Sequence, residues 1–277
     1  MFEKLKKQIH EAIGLDCEGY RPEYLKRRLE IRLRATKSKT YSDYCRYLRA
    51  NSQECDLLLN DLTINYSLFF RDSDVFLFLE QKIFPELLSS KNVRVWSAGC
   101  ATGEEPYSLA VLANECRNRY AKDSQVIIYA SDVDRDALAK AAKGEYDLKS
   151  LQNVEQSLID KYFVREGELF RVKDSVKQSV RFERHDLMTS PIHQNLDLIL
   201  CRNVMIYFSR ESQQKIHMHF YDSLKDGGYL VIGKTEMLSG EPSKKFICID
   251  PKTRAYKKAK EIFGPEKPVV IPVAYQR

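Results

Sequence analysis

The fold is decided by the stretch Val-Arg-Val-Trp-Ser-Ala-Gly-Cys-Ala-Thr-Gly-Glu-Glu-Pro-Tyr, residues 93–107. Its first residues alternate as a strand does, and Gly99 and Gly103 then predict a turn. Two glutamates and a proline follow, which are residue types favoured in the first turn of a helix. A strand, a glycine turn and a helix together form the ligand cradle of doubly wound α/β folds.

The charge of this loop narrows the choice of ligand. A phosphate-binding loop would carry a lysine after its second glycine. Here Glu104 and Glu105 stand in that place and would repel a phosphate. The loop therefore suits a ligand that has a positive group and no phosphate. If the loop is considered alone, the alternative to a ligand site is a plain turn that joins a strand to a helix.

A further acid supports a ligand site. The apolar run 126–131 is typical of a buried strand and ends at Asp132. In doubly wound folds an acid at the end of the second strand holds a ribose through its two hydroxyls. The glycine loop, this ribose acid and the lack of a phosphate signature together indicate S-adenosylmethionine, which carries a ribose, an adenine, a sulfonium and an amino acid end.

Composition limits the class of protein. The chain has 277 residues, 43% of them hydrophobic, which allows one large domain or two smaller ones. No run approaches the roughly 20 apolar residues of a membrane span, and the N-terminus lacks the apolar core of a signal peptide. Seven cysteines without a C-x-x-C pair indicate neither a zinc site nor a disulfide framework. We expect a monomeric cytoplasmic protein, without a metal and without membrane insertion.

A basic segment near the N-terminus is the main departure from an even charge distribution. Residues 21–39 hold many lysines and arginines but only two glutamates. Leu25, Leu29 and Leu33 recur every four residues, which predicts an amphipathic helix with a basic outer face. This face is either a solvated surface or a docking face for an acidic partner, such as a nucleic acid or an acidic protein helix.

The pattern along the chain predicts two kinds of domain and a tail. Residues 1–75 are expected to be helical, residues 76–260 to form an α/β domain, and residues 261–277 to form a C-terminal tail. An insertion at 146–179, with a helix at 155–162 and two short strands, interrupts the α/β pattern. The helices of the α/β domain are predicted at 105–119 and 209–224, the latter ended by Asp226-Gly227-Gly228. Its strands are predicted at 93–98, 126–131, 180–184, 196–201 and 228–233, with a hairpin at 246–256.

Five segments in order resemble the CheR-type chemotaxis receptor methyltransferases across nearly the whole chain. They are residues 63–71, 96–107, 130–134, 201–208 and 227–236. The resemblance implies an N-terminal helical domain joined to a Rossmann-like methyltransferase domain with a small inserted β-subdomain. It also implies transfer of methyl from S-adenosylmethionine to glutamate side chains on the cytoplasmic helices of chemoreceptors, giving glutamate methyl esters and S-adenosylhomocysteine.

The resemblance carries site residues with it. Ser67 stands where the family has Thr and keeps the hydroxyl, whereas Asp186 stands where the family has Asn and can no longer donate. Arg71 and Tyr207 are implied to orient the cofactor end and the incoming carboxylate. The implied cofactor-binding residues are Asn65, Ser67, Arg71, Glu104, Asp132, Asp186, Leu187, Arg202 and Asn203.

Other interpretations remain open at this point. Tyr207 could be buried filler, Arg71 could pair with Asp72 or Asp74, and Glu105 could serve only as a helix cap. A nucleic acid methyltransferase would fit the basic helix, but Cys-Arg-Asn-Val at 201–204 lacks the prolines that usually mark amine targets, so we expect no nucleic acid partner. A cofactor-binding regulator that has lost catalysis is the alternative from another class. The short loop at 165–168 argues against tethering of a receptor tail peptide.

Overall fold

A helical domain forms the N-terminal part of the chain in the computed structural model, which describes residues 2–13, 15–121 and 123–259. Leu25 and Leu29 are fully buried on the inner face of one helix, and each contributes about 1.5–3 kcal/mol of hydrophobic free energy. The described helices are α1 (Phe2–Ile13), α2 (Pro22–Ala35), α3 (Tyr41–Ala50), α4 (Ser52–Leu62), α5 (Ser73–Phe78), α6 (Phe84–Leu87), α7 (Glu104–Tyr120), α8 (Arg135–Lys143), α9 (Gln156–Tyr162), α10 (Asp174–Lys177), α11 (Arg210–Ser223) and α12 (Pro242–Lys245).

Two sheets organise the rest of the described chain. The larger has seven strands in the order β6-β2-β1-β7-β8-β10-β9, and the smaller has three in the order β3-β5-β4. The strands are β1 (Asn92–Ala98), β2 (Gln125–Asp132), β3 (Glu145–Asp147), β4 (Phe163–Glu166), β5 (Leu169–Val172), β6 (Val180–Arg184), β7 (Leu196–Cys201), β8 (Leu224–Ile232), β9 (Phe246–Asp250) and β10 (Ala255–Lys258).

The large sheet has the topology of a Rossmann-like domain. Strand β1 pairs in parallel with β2 and β7, and β8 extends the parallel set, whereas β10 and β9 close the sheet as an antiparallel hairpin. Every residue of β7 is buried, as expected for a central strand covered on both faces. The predicted α/β class, with an all-helical N-terminal domain, is confirmed.

One predicted boundary is wrong. The helix predicted at 209–224 was expected to end at Asp226-Gly227-Gly228, but α11 ends at Ser223 and β8 begins at Leu224. Leu224 already has extended backbone dihedrals and only 3% exposure, because its side chain packs into the core. The two glycines therefore lie inside the strand, where Gly227 adopts a φ of +77°.

The three-stranded sheet lies in the inserted segment. It packs against residues 62–71, the linker between the helical domain and the α/β domain. Phe69, fully buried, makes edge contacts with the rings of Tyr146 and Phe163, at centroid distances of 4.8 and 5.2 Å. The linker is therefore already part of the α/β core before α5 begins. Among the described residues, no helix combines the length and apolarity needed to cross a bilayer.

Candidate active site

A cleft opens at the carboxyl ends of β1, β2 and β7, where ligands bind in open α/β sheets. The linker at 62–71 forms its opposite wall. The cleft encloses about 1130 Å³, a volume that includes open solvent. Nine of the ten predicted site residues line it: Asn65, Ser67, Arg71, Asp132, Asp186, Leu187, Arg202, Asn203 and Tyr207.

The glycine loop is folded tightly against the end of β2. The amides of Gly99 and Cys100 donate to the Ser131 carbonyl at 2.8 and 2.9 Å. Gly99 has a φ of +79°, and a Cβ there would lie 2.6 Å from the Val204 side chain. Only glycine fits this position, so the loop backbone lies close to whatever occupies the cleft.

Asp132, the predicted ribose acid, is hydrogen-bonded to the glycine loop. Its carboxylate accepts from the Ala101 amide at 2.8 Å and from the Asp134 amide at 3.0 Å. Burial raises the pKa of this carboxyl, while the two amides oppose the rise. Since a carboxylate oxygen can accept more than one hydrogen bond, Asp132 keeps acceptor capacity for a diol in the cleft.

The two glutamates after Gly103 have different environments. Glu104 is 4% exposed, accepts the Thr102 hydroxyl at 2.9 and 2.8 Å, and lies outside the cleft lining. Glu105 lines the cleft and accepts from the Ser97 hydroxyl at 2.8 Å. The role predicted for Glu104 remains a prediction, and the geometry favours its neighbour, which sequence reasoning assigned only to capping.

Arg202 is a buried connection between the two walls of the cleft. Its guanidinium donates to Glu105 at 3.2 Å, to the carboxylate of Asp72, and to the Arg71 carbonyl at 2.8 Å. The side chain is only 2% exposed. Because these partners occupy most of its donors, Arg202 holds the linker and α7 together beside the cofactor position.

The linker wall is fastened mainly by a second acid. Asn65 donates to Asp134 at 2.7 Å and Thr63 donates to the same oxygen at 2.8 Å. The other oxygen of Asp134 caps α8. Asn65 therefore reaches the cleft in an orientation set by Asp134, a contact between distant residues that sequence reasoning missed.

Arg71 does not form either of the ion pairs considered from the sequence. Asp72 binds Arg202, and Asp74 binds Lys234 at 2.8 Å. The Arg71 guanidinium instead donates to the Tyr66 carbonyl at 3.2 Å and lies over the Tyr66 ring. It lines the cleft with most of its donors available to an anionic group.

Tyr207 lines the cleft in a 3₁₀ turn, Met205–Tyr207. Its ring packs against Tyr24 of α2 at a centroid distance of 4.8 Å. Burial raises the pKa of Tyr207, and the nearby Arg28 and Arg71 oppose the rise. The hydroxyl is therefore neutral and able to donate at ordinary pH, and its predicted role in methyl transfer stays a prediction.

The residues predicted to lie beside the adenine, Asp186 and Leu187, line the cleft together with a histidine that the sequence did not single out. Asp186 accepts from the Met188 amide at 2.9 Å, and Leu187 offers an apolar surface. His185 also lines the cleft, and its Nε2 is buried without a hydrogen-bond partner. Within the described residues, no group of His, Cys, Asp or Glu is arranged to hold a metal ion.

One arginine of the basic helix α2 does not belong to its outer face. Arg32 donates to both oxygens of Glu54 at 2.9 and 2.7 Å and to Asp61 at 3.0 Å. Glu54 is 2% exposed, so Arg32 is a structural partner of α4. Lys26, Arg27 and Arg34 do face solvent.

Comparisons with known proteins agree with this geometry. The family described as "CheR methyltransferase, all-alpha domain" matches residues 1–63, and "CheR methyltransferase, SAM binding domain" matches residues 65–254. A chemotaxis protein methyltransferase of Listeria innocua is 34% identical over 232 residues, covering 83% of this chain and 87% of that protein. One from Borreliella burgdorferi is 32% identical over 255 residues, covering 88% and 90%.

Proposed function

The chain belongs to the CheR methyltransferase family, and we propose that it transfers methyl from S-adenosylmethionine to glutamate side chains of chemoreceptors. The products are glutamate methyl esters and S-adenosylhomocysteine. One observation carries the proposal: Asp132, the predicted ribose acid, lines the same cleft as Arg71 and Tyr207. This arrangement suits a cofactor whose ribose is held by Asp132 and whose methyl group is offered near Arg71 and Tyr207.

The charges of the cleft match the parts of the cofactor. Asp132 suits the ribose hydroxyls, and Asp186 with Leu187 suits the adenine. Glu105 lies beside the glycine loop, where a carboxylate favours the positive amino group of the methionine end. Arg71 has free donors for the carboxylate at that end.

The reaction needs alignment rather than proton transfer. A glutamate carboxylate, with a reference pKa of about 4.3, is ionised at neutral pH and needs no general base. The sulfonium is already an activated leaving group, so the oxygen, the methyl carbon and the sulfur must be brought into line, at roughly 3 Å between reacting atoms. Tyr207 orients the incoming carboxylate by donating its hydroxyl hydrogen.

The receptor helix docks on the exposed part of α2. Lys26, Arg27 and Arg34 face solvent, and the helix begins next to the turn that carries Tyr207. Electrostatic attraction to an acidic receptor helix mainly raises the association rate. The enzyme acts in the cytoplasm, as a monomer, with a protein and not a nucleic acid as its partner.

The test is transfer of labelled methyl to receptor-rich membranes. We expect label on the receptor that is released by mild alkali, as an ester would be. Tyr207→Phe should slow transfer while cofactor affinity stays nearly constant, since only the hydroxyl is lost. Alkali-stable label would point to another target atom. Cofactor binding without any transfer would instead favour a regulator that has lost catalysis.

A further inference from the structure

The start of α2 is bound to the turn that carries Tyr207. The Arg21 amide donates to the Tyr207 carbonyl at 2.9 Å, and the Ser209 amide donates to the Gly19 carbonyl at 2.8 Å. The Arg21 side chain adds a bond to the Phe208 carbonyl at 3.0 Å. The docking helix and the reacting end of the cleft are thus neighbours through backbone contacts.

Tyr24, two residues into α2, contacts both sides of the cleft mouth. Its ring packs against the Tyr207 ring at 4.8 Å between centroids. Its hydroxyl donates to the Leu62 carbonyl at 2.7 Å, at the point where α4 ends and the linker wall begins. Tyr24 is 7% exposed and does not itself line the cleft.

The outer side of Tyr24 faces the basic surface. The guanidinium of Arg28 lies over the Tyr24 ring at 5.5 Å and that of Arg27 at 6.0 Å. A receptor helix that engages these arginines would therefore sit against the same ring that supports Tyr207. Tyr24 thus contacts the basic side chains of α2, Tyr207 and the start of the linker wall.

We infer that Tyr24 is a positioning residue, which holds Tyr207 through its ring and the linker wall through its hydroxyl, and so couples receptor docking to methyl transfer. This inference rests on the proposed function for its kinetic part. Its two contacts are separable, because Tyr24→Phe removes only the hydroxyl and Tyr24→Leu removes the ring as well. Each contact has its own readout.

The hydroxyl contact is tested by cofactor binding. Loss of one hydrogen bond, worth about 1 kcal/mol, should weaken S-adenosylhomocysteine binding about fivefold in Tyr24→Phe, with kcat nearly unchanged. The matched control is Tyr44→Phe, which removes a bond of 2.7 Å to Glu54 in the same helical domain, away from the cleft. Equal dissociation constants in the parent and Tyr24→Phe by calorimetry would overturn this part of the inference.

The ring contact is tested by a double-mutant cycle. An aromatic pair contributes about 0.5–1.5 kcal/mol, so Tyr24→Leu should lower kcat roughly threefold to tenfold in the parental background. In a Tyr207→Ala background, the same change should lower kcat no further, because its partner is already absent. Additive losses would show that Tyr24 acts independently of Tyr207 and would overturn this part of the inference.

The two arms also separate this inference from the proposed function. If the parental chain transfers no methyl group to receptors, the proposed function fails. The hydroxyl part of the inference on Tyr24 is then decided by cofactor binding, which needs no transfer. If Tyr24→Leu does not fold, Tyr24→Phe with its control Tyr44→Phe still decides the hydroxyl part, since both are conservative changes, and an unchanged dissociation constant in Tyr24→Phe overturns the inference.

Discussion

The two walls of the cleft are built in different ways. The sheet wall, with Gly99 and Asp132, sits at the ends of buried parallel strands, where backbone ladders fix every position. The linker wall is fastened by single side chains, namely Asp134 to Asn65, Arg202 to Asp72 and Tyr24 to Leu62. We therefore expect the cofactor to be held mainly by the sheet wall, which the topology fixes, and the linker wall to be the part that point mutations can loosen.

The largest expected effect comes from cutting the connection between the walls. Arg202→Met leaves Glu105 and Asp72 without their buried cation, and removing one partner of such a pair costs about 3 kcal/mol. We expect that loss in the free energy of unfolding, measured by urea denaturation. Lys234→Met is the control, because its pair with Asp74 is 35% and 29% exposed and should cost less than about 1 kcal/mol. Similar losses in both variants would contradict the role of Arg202.

The next effect concerns the sheet wall alone. Asp132→Ala removes the acceptor for two ribose hydroxyls, and bonds to a charged acceptor contribute about 1.5–3 kcal/mol each. Affinity for S-adenosylhomocysteine should fall at least tenfold by calorimetry. Asp136→Ala, at the exposed start of α8, is the control and should bind as the parent does. An unchanged dissociation constant in Asp132→Ala would mean that the ribose lies elsewhere.

Glu104 and Glu105 are expected to differ in their effect on cofactor binding. Glu105→Gln should weaken cofactor binding about fivefold through loss of a charge-assisted contact, whereas Glu104→Gln should leave it unchanged. The opposite result would favour the residue expected from the sequence.

Glu104 also predicts a pH dependence. Burial raises the pKa of this carboxyl, so its ionised form is less stable in the folded chain than in the unfolded chain. That cost is absent below the unfolded-state pKa of about 4.3 and grows as the pH rises through the folded-state pKa. Glu104→Gln should therefore raise the melting temperature at pH 7, and the gain should shrink as the pH is lowered toward 4. A rise in melting temperature that is the same at pH 7 and pH 4 would contradict this prediction.

The smallest expected effect concerns the solvent-facing charges of α2. Arg34→Glu reverses a solvent-facing charge on α2 and should raise the Michaelis constant for receptor roughly twofold to fivefold at low salt, in line with exposed charge pairs. The difference should fade at high salt. The matched control is Lys244→Glu. The Lys244 side chain on α12 is 75% exposed, and reversing its charge should leave the Michaelis constant for receptor unchanged. Arg32→Glu, in contrast, should lower the melting temperature, because it faces Glu54.

Much of the sheet wall could be predicted from sequence. The strand expected at 93–98 is β1 with one residue added, and the one at 196–201 is β7 itself, because short alternating or apolar runs bounded by turn residues favour strands. Arg32 could have been found as well. It follows Leu25 by seven residues and Leu29 by three, which places it on the apolar stripe of the helix.

The linker wall could not be predicted in the same way. The bond from Asn65 to Asp134 spans 69 positions and has no local pattern. Consecutive residues of a helix point about 100° apart, so only one of Glu104 and Glu105 could face the cleft. The sequence does not show which one, since the direction depends on how α7 packs on the sheet.

Phe69 decides where the chain can be divided into fragments that still fold. It lies within the predicted helical domain of residues 1–75, yet its fully buried ring packs between Tyr146 and Phe163. A fragment that begins at residue 76 would leave the space of that ring empty, at a cost of about 3–5 kcal/mol for a lost phenyl ring. Chimaeras that exchange the helical domain between relatives should therefore be joined before residue 63, so that each α/β domain keeps its own Phe69.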